Sequence, residues 1–240
     1  WIVHRTETKH LGAASMNREL SSLRSFFRYL HRTGRIDKEV MYRIHALKTS
    51  RRIPAFVPST RMEGILDELD RESESPEFKF VRNSLIVLLF YSCGLRLAEL
   101  VGIDRDDFSG DYTALKVRGK GDKERILYLN QACRDALAEY LKVRPVDGVK
   151  DKNALFLSNR MQRISPKTVQ HVVYTFLEKA GLAGQGLSVH KLRHTAATLM
   201  YQHGKVDVLV LKEILGHENL GTTEIYTHIM DDQMKSAAEA

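Results

Sequence analysis

The sequence predicts a mainly α-helical protein that carries a small antiparallel β-sheet, an α+β fold class. Several segments repeat apolar residues at a spacing of three to four, which is typical of amphipathic helices. Two short alternating segments, 113–117 and 125–129, instead flank a turn rich in Gly and Lys, which predicts one β-hairpin. The composition, 43% hydrophobic and 28% charged residues over 240 positions, is ordinary for a globular protein and excludes a disordered or fibrous chain.

The first predicted helix covers residues 15–33, with Ser15 as its N-cap and Gly34 at its end. Its apolar face is formed by Met16, Leu20, Leu23, Phe26, Phe27 and Leu30. Its basic side is formed by Arg18, Arg24, Arg28 and Arg32. Asp37 is expected to cap a second helix through Ala46, and the two prolines of residues 51–58 predict a linker.

The basic excess of the chain lies in its first quarter. Residues 1–55 contain 12 Lys and Arg against 4 Asp and Glu, a balance of +8, whereas residues 56–240 contain 25 against 26, a balance of −1. A basic segment of this kind favours a polyanion partner, most simply nucleic acid. A solvated basic face explains the same charge pattern equally well.

Beyond the linker, helices are predicted on both sides of the hairpin. Thr60 and Glu63 form a capping box, and Ser165 followed by Pro166 is typical of a helix start. Gly94 is expected to interrupt a long apolar helix. The predicted helices are 60–71, 77–93, 96–101, 131–143, one from Pro166, 188–203, 206–215 and 222–229.

Two cysteines, Cys93 and Cys133, lie in apolar stretches and are expected to be reduced core thiols of a cytoplasmic protein. The longest apolar run, around residues 85–90, is far shorter than the roughly 20 residues that span a bilayer, so no membrane partner is expected. The chain begins at Trp1 rather than Met, which suggests that it starts inside a longer gene product.

The segment from Ser188 contains a group of basic side chains on one predicted helix. His190 and His194 are four residues apart, as in some zinc sites, but the zinc-hydrolase pattern needs Glu directly after the first His, where this chain has Lys191. Arg193 would also repel a dication, so no metal site is predicted. His190 and Arg193 share one helix face. The alternative is a partly buried amphipathic helix without chemistry.

Arg96 follows the break at Gly94 in an otherwise apolar stretch. An arginine in such a setting is costly unless it pairs with an anion. Glu99, three residues later, is the candidate partner. The pair is either purely structural, or Glu99 holds Arg96 toward a phosphate.

The predicted hairpin tip contains Lys120 between two glycines. The G-x-x-x-x-G-K-[ST] pattern of an ATP-binding loop is absent, so the sequence does not support ATP use. A lysine in this position is able to meet a phosphate or a leaving oxygen in a groove. The alternative is a plain solvated turn.

The last motif runs from Leu215 to His228. Gly216 is expected to end one helix, and Thr222 or Thr223 to cap the next. Tyr226 lies one turn into that helix, either as half-buried packing or as a nucleophile near His217. A phenol has a pKa near 10, so a nucleophilic tyrosine must lose its proton to a base or to a field of cations.

Taken in order, these segments resemble the tyrosine recombinase (phage integrase) family, most closely its Xer-type and transposon-integrase branches. The matching text is Gly94-Leu-Arg-Leu-Ala-Glu-Leu, Gly119-Lys-Gly-Asp-Lys-Glu-Arg, His190-Lys-Leu-Arg-His-Thr, and Leu215-Gly-His with Thr222-Thr-Glu-Ile-Tyr-Thr-His. The resemblance covers about residues 58–230. It implies a tyrosine-recombinase catalytic domain at 59–240, which follows the linker 51–58 and a partial helical core-binding, DNA-binding domain at 1–50.

The resemblance implies a role for each matched residue that would meet the scissile phosphate. Tyr226 would attack it and form a 3′-phosphotyrosine. Arg96 and Arg193 would hold its non-bridging oxygens through bidentate contacts. His217 would donate a hydrogen bond to the same phosphate.

Three further residues would act around these. Lys120 would protonate the departing 5′-oxygen as general acid, and His190 would assist proton transfer at Tyr226. Glu99 would orient Arg96.

The implied protein is a site-specific recombinase that needs no metal and no cofactor. It would act as a homotetramer on two DNA duplexes, with or without a second recombinase or accessory protein, in the cytoplasm of a bacterium or archaeon. The residues expected to contact DNA outside the scissile phosphate are Arg18, Arg24, Arg28, Arg32, Arg118 and Lys123. The alternatives are a type IB topoisomerase-like enzyme, a DNA-binding accessory protein without catalysis, and an unrelated helical protein.

Overall fold

The computed structural model describes residues 11–48, 77–182, 184, 187–202 and 204–217, together with the single residues 4, 64, 67, 71 and 223. The side chain of Lys120 lies outside the described part. The chain divides into two compact units, Trp1–Arg52 and Ile53–Ala240.

In the first unit, helix α1 spans Ala13–Arg32. Gly12 is the N-cap and no side chain caps the helix, so the prediction of Ser15 as N-cap is wrong. Ala13 and Ala14 are strong helix formers, and the helix therefore begins before the serine. The predicted apolar face is only partly buried, because Met16 and Leu20 are inside whereas Phe26 is 54% exposed.

The predicted second helix at 37–46 is wrong, because this segment forms turns and irregular structure. Side chains of α1 bind the backbone that follows the turns. Asn17 donates from Nδ2 to Leu47 O at 2.9 Å and accepts from Leu47 N at 2.8 Å. Arg24 Nη2 donates to Ile44 O at 2.5 Å. These tertiary hydrogen bonds replace the helical ones that the pattern predicted.

In the second unit, helix α2 spans Phe78–Cys93 and is buried along most of its length. Gly94 ends it in the left-handed conformation, and helix α3 follows at Leu97–Gly102 with Arg96 as its N-cap. The predicted break at Gly94 and both flanking helices are therefore confirmed.

The predicted hairpin is confirmed, with each strand displaced by one residue. Strand β1 spans Ala114–Arg118 and strand β2 spans Glu124–Tyr128, and they pair antiparallel. Leu115 lies opposite Leu127 and Val117 opposite Arg125, and all four side chains lie on the inner face of the hairpin. A single 3-10 turn, Lys120–Asp122, forms the tip.

Further α-helices are α4 at Gln131–Val143, α5 at Pro166–Lys179, α6 at Val189–Gln202 and α7 at Val208–Leu215, and a 3-10 helix spans Arg105–Asp107. Ser165 caps α5 by accepting from Thr168 N at 3.1 Å, as predicted, and Asp207 caps α7 by accepting from Leu209 N at 2.7 Å. Apart from Thr223, the predicted helix 222–229 lies outside the described residues, as does most of 60–71.

Helix α2 is the centre of the core and packs against α4, α5 and α6, while α7 packs against α6 and β2. This arrangement brings the end of α2, the tip end of the hairpin and the end of α7 together. Cys93 and Cys133 are both buried and form no disulfide. The described helices include none with the length and hydropathy to cross a membrane.

Candidate active site

Glu99 is the buried centre of a cluster of arginines. It is the third residue of α3, so its carboxylate reaches back and accepts from the backbone N–H of Arg96 at 2.8 Å, which is half of a capping box. Arg96 Nη1 also donates to Glu99 Oε1 at 2.7 Å, which confirms the predicted pairing of these residues. The side chain of Glu99 is 2% exposed and that of Arg96 is 31% exposed.

Burial by itself would raise the pKa of Glu99, because the charged carboxylate loses its hydration. Hydrogen bonds from Arg125 and Arg96 outweigh this effect and lower its pKa to about 2. Glu99 is therefore ionised throughout the physiological range.

Arg193 enters the cluster from helix α6. Its side chain is 8% exposed, and Nη1 lies 3.9 Å from Glu99 Oε2. Nη1 donates to Gly94 O and Nη2 donates to Leu215 O. The arginine thus joins the break after α2 to the end of α7.

Three arginines bind three successive carbonyls at the end of α7. Arg125 Nε donates to Ile214 O at 2.8 Å, Arg193 Nη2 to Leu215 O at 2.5 Å and Arg96 Nη2 to Gly216 O at 2.7 Å. The last carbonyls of a helix have no helical partner and carry partial negative charge, so cations are stabilising there. The end of α7 is therefore the platform on which the guanidinium groups are arranged.

Gly216 lets the chain turn at this platform. Its φ is +60°, a left-handed conformation that favours glycine. A Cβ at this position would lie 3.1 Å from Arg125 Nη1. The left-handed turn and the close approach of the guanidinium both favour glycine over a residue with a side chain.

His217 follows this turn, and its Nδ1 lies 3.0 Å from Thr223 Oγ1. Burial lowers the pKa of His217, and repulsion from Arg193 and Arg96 lowers it further, to about 4. The ring is therefore neutral near pH 7. When the Thr223 hydroxyl donates to Nδ1, the ring proton lies on Nε2, where it is available to a ligand.

Arg125 is the residue of this cluster to which the sequence analysis assigned no role. Its Nη1 and Nη2 donate to the two carboxylate oxygens of Glu99 at 2.8 and 2.9 Å. One feature of the sequence could have predicted that Arg125 binds a buried anion. In an alternating strand, Arg125 falls on the same face as the apolar Leu127, and an inward-facing arginine needs an anion.

The structure describes the remaining predicted catalytic residues only in part. Gly119, next to Lys120, is close enough that a Cβ there would lie 3.5 Å from Glu99 Oε1, so the hairpin tip begins at the cluster. The side chain of Lys120 and the whole of Tyr226 lie outside the described residues. His190 is exposed on α6, one turn before the buried Arg193.

The arginines predicted to contact DNA differ in their surroundings. Arg18, Arg28 and Arg32 are exposed on α1, whereas Arg24 is half-buried and holds Ile44 O. In the hairpin, Lys123 is exposed, and the 58%-exposed side chain of Arg118 pairs with Glu124 at 3.2 Å.

The cluster has the chemistry of an oxyanion site. Three guanidinium groups face one carboxylate, which leaves a net charge of about +2 beside a neutral imidazole. Within the residues described, no group of three or more His, Cys, Asp and Glu is placed to hold a metal ion.

Comparison with known proteins identifies the family. The model of the phage integrase family matches residues 56–233, most of the chain. The chain therefore belongs to this family, the tyrosine recombinases, and the predicted resemblance is confirmed. The predicted fold class, helical with a small antiparallel sheet, is confirmed as well.

Individual relatives indicate which branch of the family this chain is similar to. The chain is 47% identical over 221 residues to the tyrosine recombinase XerC of Caldanaerobacter subterraneus subsp. tengcongensis, an alignment that covers 92% of this chain and 60% of the relative. It is 37% identical to XerC of Thermodesulfovibrio yellowstonii, over 88% of this chain and 70% of the relative. The chain thus spans about two thirds of the length of these curated relatives.

Among solved structures, the chain is similar to a XerH site-specific recombinase bound to a palindromic difH substrate in a post-cleavage complex. The TM-score is 0.82 at 26% identity, and the match covers 98% of this chain and 69% of the other. A pre-cleavage complex of XerH with difH substrate matches with a TM-score of 0.74 at 27% identity.

Proposed function

We propose that this chain cleaves and rejoins DNA strands at a specific site through a 3′-phosphotyrosine on Tyr226, without metal or ATP. One observation carries the proposal: Arg96 and Arg193 bind the carbonyls at the end of α7, directly before the neutral His217. The buried Glu99 of α3 holds Arg96 from the other side. The relatives support it, since they are named tyrosine recombinases and XerH is described with its DNA substrate.

The scissile phosphate binds to the cluster through its two non-bridging oxygens. Arg96 and Arg193 donate to these oxygens, and His217 donates from Nε2 to one of them. Charge builds up on these oxygens during phosphoryl transfer, so that donors held in advance stabilise the transition state more than the ground state. The fixed guanidinium groups supply positive charge where other enzymes use metal ions.

In the cleavage step, the Tyr226 oxygen forms a bond to phosphorus as its proton leaves with assistance from His190. The bond between phosphorus and the 5′-oxygen breaks, and Lys120 protonates that oxygen. In the reverse step, a 5′-hydroxyl attacks the phosphotyrosine and releases Tyr226. One phosphodiester is exchanged for another in each direction, and no ATP is required.

The exposed arginines of α1, together with Arg118 and Lys123 of the hairpin, bind the DNA backbone outside the scissile phosphate. Strand exchange requires two duplexes, which we propose are held by a homotetramer in the cytoplasm, with or without a second recombinase or an accessory protein. The relatives named XerC and XerH favour this recombinase assignment over a topoisomerase.

A covalent-trapping assay tests the proposal. The chain is mixed with labelled, nicked duplexes taken from the sequence flanking its own gene and from the replication terminus of its chromosome, and then denatured and separated on a gel. We expect a slowly migrating adduct that Tyr226→Phe abolishes while DNA binding is retained. An adduct that persists in Tyr226→Phe would place the nucleophile elsewhere. Relaxation of an arbitrary supercoiled plasmid at low protein concentration would favour the topoisomerase-like alternative.

The general acid is tested by changing the leaving group. Lys120→Ala is expected to slow cleavage, and a substrate with a 5′-bridging sulfur is expected to restore the rate, because a thiolate leaves without a proton. Absence of this rescue would remove Lys120 from the role and make Lys123 the next candidate.

A further inference from the structure

Arg125 is directed into the protein by the register of the hairpin. It lies opposite Val117 on the inner face, and its side chain is only 12% exposed. Each of its three guanidinium nitrogens donates within the protein: Nη1 and Nη2 to the two oxygens of Glu99, and Nε to Ile214 O. These bonds use three of the five N–H groups of the guanidinium and hold it against Glu99 and the end of α7.

Arg96 contacts the same carboxylate but differs in exposure. It shares Oε1 of Glu99 with Arg125, and its side chain is 31% exposed against 12% for Arg125. The two Nη atoms of Arg125 match the two carboxylate oxygens in an end-on, bidentate pair, which satisfies much of the acceptor capacity of Glu99. Arg96 is thereby held at one carboxylate oxygen and keeps an outward-facing edge.

Arg125 also holds the turn that precedes His217. It holds the carbonyl of Ile214, and its guanidinium packs against Gly216, where even a Cβ would be 3.1 Å from Nη1. Three segments therefore meet at this one side chain: the start of α3, the tip end of the hairpin and the end of α7.

We propose that Arg125 is a positioning residue for strand cleavage: it holds Glu99 and the turn before His217, and so places Arg96 and His217 against the scissile phosphate without touching DNA. This inference rests on the proposed function. Arg125 has no bond-making part in the reaction, so its loss should reduce the rate of phosphotyrosine formation and leave the affinity for DNA nearly intact.

The charged groups around Glu99 determine how the loss of Arg125 would change the pH dependence of adduct formation. Arg96 faces it from the start of α3, Arg125 from β2 and Arg193 from α6. A small cavity beside it is also lined by Asp107, Lys116 and Arg118. Without Arg125, the buried carboxylate loses two hydrogen bonds, and its pKa rises because burial is no longer outweighed.

The experiment uses the full 240-residue chain and the nicked duplex that gives the strongest adduct in the trapping assay. The dissociation constant and the first-order rate of adduct formation at saturating DNA are measured separately. Arg125→Met is expected to slow adduct formation by about 100-fold, the scale of an ångström-sized misplacement, with affinity changed by less than about threefold. Arg125→Lys retains one cationic donor and is expected to lose about tenfold.

Two controls separate positioning from stability. Arg144 is another buried arginine that binds backbone carbonyls, with Nε donating to Leu155 O at 3.0 Å, and it lies outside the cluster. Arg144→Met is expected to lower stability and keep the rate at saturating DNA. In Arg125→Met, the fall of the rate with falling pH should begin at a higher pH than in the wild type, because the pKa of Glu99 is higher. The double variant Glu99→Gln/Arg125→Met should lack this upward displacement, because no carboxylate remains at this position to be protonated.

Each other outcome overturns the inference. A wild-type rate in Arg125→Met would show that Arg125 positions nothing, and a weakened affinity with an unchanged rate would make it a DNA ligand. Equal rate losses in Arg125→Met and Arg144→Met would indicate general destabilisation. If Arg125→Met does not fold, Arg125→Lys decides between these outcomes. A wild-type chain that forms no adduct, although it binds the duplexes, overturns the proposed function itself.

Discussion

Replacing Glu99 by Gln keeps the shape of the central side chain and removes its charge. In the wild-type chain, four N–H groups converge on the carboxylate at 2.7 to 2.9 Å, two from Arg96 and two from Arg125. In Gln, an NH₂ group replaces one carboxylate oxygen, and its N–H donors would face the N–H donors of Arg96 and Arg125. Breaking a buried ion pair on one side costs about 3–5 kcal/mol, because the opposite charges stay buried without compensation.

The pKa of Glu99 leads to a similar magnitude. A shift from the ordinary value of 4.5 to about 2 means that the native protein favours the ionised form by about 3 kcal/mol relative to the unfolded chain. This stabilisation is fully present above pH 4.5 and is lost as pH falls toward 2. The wild type should therefore exceed Glu99→Gln by about 3 kcal/mol at both pH 7 and pH 5.

Urea unfolding of both proteins at these two pH values measures the difference. Glu124→Gln is the matched control, since Glu124 is a half-exposed carboxylate that pairs with Arg118 at 3.2 Å, and its loss should cost less than about 1 kcal/mol. A difference for Glu99→Gln below about 1 kcal/mol at pH 7 would refute the account of the cluster. A difference that already shrinks between pH 7 and pH 5 would refute the lowered pKa.

Two further predictions concern the turn after α7. His217 has a pKa of about 4 in the native chain against 6.5 in model compounds, so wild-type stability should fall as pH drops from about 6.5 toward 4, by about 1 kcal/mol at pH 5 after allowance for partial exposure. His217→Asn should lack this fall in urea unfolding, and parallel pH profiles of the two proteins would contradict the assignment. Gly216→Ala should lower the free energy of unfolding by about 1–3 kcal/mol and slow adduct formation, because its φ of +60° and the guanidinium of Arg125 both oppose a Cβ. Gly121→Ala, at φ +74° with nothing within 4 Å of a Cβ, is its control for backbone strain alone, and equal losses in both would argue against a role for the contact with Arg125.

Elements whose signal is local were predicted well. Helix α4 has the predicted bounds, and Ser165 and Gly94 begin and end helices as expected, because caps and helix breaks depend on a few neighbouring residues. The helix predicted at 37–46 failed for the opposite reason. Side chains of α1 bind backbone carbonyls within this segment and just after it, at Ile44 and Leu47, and tertiary contacts of this kind override local propensity.

In the candidate site, too, the local contact was predictable from the sequence and the long-range contacts were not. The pairing of Arg96 with Glu99 was predictable, since three residues separate them on one helical turn. The partnership of Arg125 with Glu99 spans 26 residues, and that of Arg96 with Gly216 spans 120. Nothing in the spacing of the motifs indicates which carbonyl or carboxylate each arginine would reach.

The sequence by itself therefore determined most of the elements, the motifs and the family, because these depend on residue types and their order. Only the tertiary structure decided how the cations are shared among their partners. Arg125 faces inward and binds Glu99, whereas Arg96 remains partly exposed. Three arginines bind three successive carbonyls at one helix end. The physical reason is that a buried carboxylate and the end of a helix each bind whichever cations the fold places beside them.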